Sequence, residues 1–139
     1  MKKKAYKVIL FILIMAMALS TVAFAAEARA SEYIRSTTTY ISASNGVVTV
    51  DFRIYATGVM TDIGVKKVEF YTESGSLVKT CSYTSSAYSY MMTSGTYTYY
   101  ESVTYNGTAG TSYYAVVTFY AGNSTGSDSV TDTTDVVTA

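Results

Sequence analysis

The side chains able to do chemistry in this sequence are few. Histidine is absent, which removes the commonest general base and the commonest metal ligand. Serine and threonine are abundant, but no candidate nucleophile has a base partner. Two carboxylates can serve glycoside hydrolysis. Here Asp51, Glu69, Glu73 and Glu101 alternate with solvent-facing residues, where they stay soluble and ionised. Asp128, Asp132 and Asp135 stand beside Ser and Thr oxygens, a donor set that suits Ca²⁺. EF-hand spacing is missing, and on a strand Asp135 faces opposite to the other two. A charged edge strand that discourages aggregation is the expectation there, with no metal and no cofactor. Cys81 is the only cysteine, so no disulfide can form within the chain. No basic residue adjoins it to lower its pKa, and the expectation is a small buried hydrophobe. Pairing between chains or a reactive thiol is the alternative. We therefore expect no enzyme.

The informative side chains are aromatic and uncharged. Fourteen of the 15 tyrosines lie beyond residue 25, and residues 82–100 run SYTSSAYSYMMTSGTYTYY. Tyr, Ser, Thr and Gly with little charge is the composition of antibody paratopes, where Tyr gives large contact area at low entropic cost. The candidate contact residues are Tyr88, Tyr90 and Tyr100, with Met91 and Met92 as adaptable apolar filler. Tyrosine also stacks on sugar rings. It is equally a favoured strand residue that pairs across sheets, in which case these positions are framework.

The elements that must position these residues are strands. Alternation with period two dominates from residue 33 onward, in Thr-, Val-, Tyr- and Ser-rich runs divided by Gly and Asn turns. A polar first strand covers 33–44, and Asn45-Gly46 is a hairpin signal because both residues tolerate positive φ. In 47–56, Val48, Val50, Phe52, Ile54 and Ala56 point one way, while Thr49, Asp51, Arg53 and Tyr55 point the other. Residues 57–64 are expected to form a loop, and 65–72 a third strand with Val68 and Phe70 inward. A fourth strand covers 76–83, followed by a long connection over 84–95 and a fifth strand over 96–105. The sixth, 112–121, is expected to be central, with Tyr113 and Phe119 in the core and Tyr114 and Tyr120 on its second face. A polar last strand ends near Val137. Seven short strands with turns every 8–12 residues predict a single all-β domain over 33–139, a Greek-key β-sandwich. Closure into a small barrel fits the same periodicity.

The first residues are of another kind. Lys2, Lys3, Lys4 and Lys7 precede the uncharged apolar run VILFILIMAMAL, and Ala23-Phe24-Ala25 follows. This is the pattern of a signal peptide over 1–25, with Ala28-Arg29-Ala30 as an alternative cleavage site after residue 30. An uncleaved membrane anchor is the other reading of the segment. Cleavage after Ala25 leaves six basic residues against ten acids, a net charge of −4. A chain so charged has no electrostatic footprint for nucleic acid or an anionic membrane surface. The expected location is secreted and extracellular.

The stretches VVTVDFRIYATG, IGVKKVEFYTESGSLVKT and YNGTAGTSYYAVVTFYAGNSTGSDS resemble fibronectin type III or immunoglobulin-like domains. Ala121, Asn123 and Gly126 match the A-x-N-x-x-G turn of those folds. The chain lacks their core Trp, with Phe52 as its candidate replacement. The corner tyrosine is expected at position 115, where this sequence has Ala115, and the nearest tyrosine on the same face is Tyr113. The mature chain also resembles a family of short secreted proteins of Gram-positive bacteria, through the Met91-Met92 pair, YNGTAG, YYAVV and GSDS. That resemblance implies a location and a fold class and no catalytic residues. The expected function is a secreted, non-enzymatic binding or envelope-associated module, with an unknown protein or a cell-surface glycan as partner. A carbohydrate-binding module using exposed tyrosines and a secreted effector in bacterial competition are the alternatives.

Overall fold

The computed structural model describes residues 31–139. The expected signal peptide and both of its cleavage sites lie outside the described residues. In chain order the strands are β1 (Ile34–Ser44), β2 (Val47–Met60), β3 (Asp62–Thr72), β4 (Leu77–Ser82), β5 (Met92–Thr93), β6 (Thr96–Asn106), β7 (Ser112–Asn123), β8 (Gly126–Thr133) and β9 (Val137–Thr138). They form two antiparallel sheets, one ordered β1-β2-β6 and the other β4-β3-β7-β8. The seven expected strands are all present. The two further ones are two-residue strands, β5 pairing with β3 and β9 with β7.

The alternation in β2 and β7 builds the core. Val48, Val50, Phe52, Ile54 and Ala56 are buried on one side of β2, and Tyr113, Ala115, Val117, Phe119 and Ala121 on one side of β7. The Phe52 and Phe119 rings meet between the sheets at 6.3 Å, edge to face. Burying each such aromatic or branched side chain contributes about 1.5–3 kcal/mol, so a core of this kind holds the sheets together without a disulfide. The β1–β2 hairpin turns at Asn45 and Gly46, at φ 52° and 81°, the two positive values that a tight primed turn demands.

The loop expected over 57–64 is instead extended chain. Met60 pairs with Thr96 in the three-stranded sheet, while Asp62 pairs with Gly122 in the other. The crossing takes a single residue, Thr61, whose N–H and hydroxyl both donate to the Gly122 carbonyl. Met60 and Ile63 are buried on either side of it. Gly58 and a break in the alternation, with Thr57, Gly58 and Val59 exposed between buried Ala56 and Met60, make this stretch resemble a loop, although its backbone stays extended.

Tyr113 lies two residues before Ala115 on the same face of β7. Its ring is buried, and its hydroxyl accepts the Thr108 N–H at 2.8 Å, across the β6–β7 turn. That hydrogen bond favours the ionised phenol and holds the Tyr113 pKa below its ordinary value.

Candidate functional site

The Tyr-rich connection after β4 closes the gap between the edges of the two sheets. It runs through a 3₁₀ turn at Ser89–Met91 and then into β5. Met91, expected as surface filler, is instead fully buried in the core. The reason is the short turn, which carries the chain back over the sandwich edge and drives the Met91 side chain inward. Gly64 makes room for this pass. A Cβ there would sit 2.2 Å from the Met91 carbonyl oxygen, and the Gly64 φ of +147° favours glycine.

Met92, pairing with Gly64, is half-buried and lines a shallow cleft with Asp62, Lys66, Tyr83 and Tyr120. Tyr88 packs partly buried against the core, under the Lys79 ammonium at 5.7 Å. It lines a second cleft with Lys79, Thr104, Tyr105 and Asn106. Tyr90 is 41% exposed and lies along the free edge of β6, donating its hydroxyl to the Ser102 carbonyl at 3.2 Å. The Tyr99 hydroxyl in turn donates to the Tyr90 carbonyl. Partial burial raises the pKa of both phenols, with the Glu101 carboxylate adding to it, so both are neutral donors.

Tyr100 stands elsewhere, on the outer face of the three-stranded sheet, and is 69% exposed. The five candidate residues therefore do not share one surface. One is core, two line separate clefts, one lies on the β6 edge and one on a sheet face. Around Tyr100 the structure assembles residues that composition alone does not single out. Arg53 sits opposite Tyr100 in the register, with its guanidinium 5.5 Å from the Tyr100 ring and 6.0 Å from the Tyr55 ring. Tyr40 stands on the same face, 65% exposed, opposite Asp51. The signal for this cluster is the outward phase of β2, which puts Asp51, Arg53 and Tyr55 on one side.

The remaining chemistry-bearing groups serve the fold. Cys81 is buried on the core side of β4, opposite Val68. Burial pushes its thiol pKa up, against smaller opposing effects of the Tyr88 hydroxyl and Lys79. Asp128 and Asp132 share one side of β8, as alternation predicts, and both reach β1. Asp128 accepts from the Ser31 hydroxyl at 2.7 Å and the Tyr33 N–H at 2.8 Å, and Asp132 from the Thr37 hydroxyl at 2.5 Å. These bonds hold the Asp128 carboxyl below its ordinary pKa. Asp135 lies beyond β8. Among the described residues no three His, Cys, Asp or Glu side chains cluster as metal ligands, and no helix is long and apolar enough to cross a membrane. No family model, no curated protein and no solved structure matches the chain.

Proposed function

We propose that this protein is a secreted, non-enzymatic binding or envelope-associated module that touches a protein ligand through tyrosines along β6. The observation that carries the reading is the exposure of Tyr90 and Tyr97 at 41% and 57%, beside and on an edge strand whose only charge is Glu101. Large uncharged rings in a Ser/Thr background give contact area at low entropic cost. The lysine-led apolar segment before residue 26 supports export. A fibronectin III-like ancestry is supported by the three-plus-four strand order and by the corner hydrogen bond of Tyr113.

The test is capture from a surface extract of the producing cells, comparing the wild type with a Tyr90→Ala, Tyr97→Ala variant. A ligand retained by the wild type should be lost by the variant and should resist moderate salt, because little of the affinity is Coulombic. Undiminished capture by a folded variant overturns the contact surface. Competition by a soluble oligosaccharide would favour a glycan ligand instead.

A further inference from the structure

Two unpaired charges on the outer face of the three-stranded sheet carry an inference beyond ligand binding. Asp51 and Arg53 lie two residues apart on β2, both exposed and both in its outward phase. On β3, Lys67 and Glu69 have the same spacing and form an ion pair at 3.1 Å. Asp51 and Arg53 do not, and Lys67–Glu69 is the only ion pair among the described residues. The Arg53 guanidinium instead lies 5.5 Å from the Tyr100 ring and 6.0 Å from the Tyr55 ring and donates to the Tyr55 hydroxyl at 3.4 Å. Two opposite charges are thus left side by side, about 7 Å apart along the strand, neither with an ionic partner.

The register places their neighbours. Across the sheet, Thr38, Arg53 and Tyr100 form one row, and Tyr40, Asp51 and Ser102 form the next. We propose that this face packs against the same face of a second copy of the chain. The two-fold axis lies between the copies, perpendicular to the strands and level with Phe52. That rotation exchanges the two rows and keeps each strand facing its own counterpart. Arg53 then meets Asp51 of the second copy, and the reverse contact follows by symmetry, as in any isologous interface. Each large ring meets a small hydroxyl residue: Tyr100 falls opposite Ser102 and Tyr40 opposite Thr38. A two-fold axis along the strands instead sets Arg53 against Arg53 and is excluded by repulsion. The occupant is a second copy because the face carries its own complement in both charge and size. Sheet twist limits close contact to the rows near the axis, so the association is weak and depends on concentration.

The test is charge exchange, read by sedimentation equilibrium of the purified protein over rising concentration. The weight-average mass should climb toward two chains. Asp51→Arg and Arg53→Asp, each placing like charges together twice, should each weaken association by at least about tenfold. Mixing the two variants in equal amounts should restore it, since every contact between unlike chains is then attractive. Recovery on mixing reports the interface itself, whatever either variant does to stability. A protein that stays monomeric throughout, a single reversal that associates like the wild type, or a mixture that fails to recover overturns the proposal. Tyr90→Ala, on the strand edge, should leave the mass curve unchanged, so the fate of this inference is separate from that of the edge as a ligand site.

Discussion

Where β1 of one sheet meets β8 of the other, carboxylates close the seam; where β4 meets β6, aromatic and sulfur-bearing side chains do. At the first edge, Asp128 and Asp132 lie on the same side of β8 as Val130 and reach β1 by charge-assisted hydrogen bonds. At the second, Met91 enters the core, Tyr88 covers it, and Tyr90 and Tyr99 tie the connection to β6. An inward-pointing charge is one way to stop an edge strand from recruiting another chain, and a covering segment is another. The carboxylate seam depends on pH. The plugged edge is indifferent to mild acid but depends on the fit of one side chain. It also leaves rings exposed, which is why the candidate contact surface lies on that side.

The contrast can be broken most forcefully at the plug. Met91→Ala should cost about 2–5 kcal/mol, the range for removing a fully buried long side chain, read as a lower denaturant midpoint. A loss no larger than that of a surface change would mean that the connection does not seal the core. Phe52→Ala, 2% exposed and outside either edge, should cost about 3–5 kcal/mol and gives the scale for a core deletion.

Asp128→Asn should have a smaller effect with a distinct pH signature. The folded pKa is depressed, so the carboxylate's contribution is present in full above the unfolded value, about 3.9. It is lost as pH falls through the folded value. The gap in stability between wild type and Asp128→Asn should therefore be constant near neutrality and close in acid. A gap that widens in acid would reverse the assignment of the seam to ionised Asp128. Tyr99→Phe removes only the hydrogen bond to the Tyr90 carbonyl, and about 1 kcal/mol is expected, with no pH dependence below the phenol range. Tyr100→Ala, on the exposed face, should stay within about 0.5 kcal/mol of wild type. A loss comparable to Phe52→Ala would show that the sheet face is structural.

Alternation along the chain was sufficient to place Phe52, Val68, Phe70, Tyr113 and Phe119 inward and Tyr100, Tyr114 and Tyr120 outward, because a strand assigns faces by residue parity alone. The Asn45-Gly46 turn was equally local, since it depends only on which residues accept positive φ. Parity said nothing of Met91 and Met92. They are neighbours in a connection without a regular period, and the close pass over Gly64 decides which of them is core. The crossing at Thr61 was hidden for a related reason, as a strand that changes sheets keeps its extended backbone and loses its alternation. The partners of Asp128 lie 97 and 95 residues away, and Arg53 meets Tyr100 only because β2 and β6 pair. Local sequence determined the seven main strands, their faces and the Asn45-Gly46 turn. Which edges meet, which charges find partners and which rings stay exposed were decided by tertiary packing, because those contacts join segments whose separation along the chain carries no periodic signal.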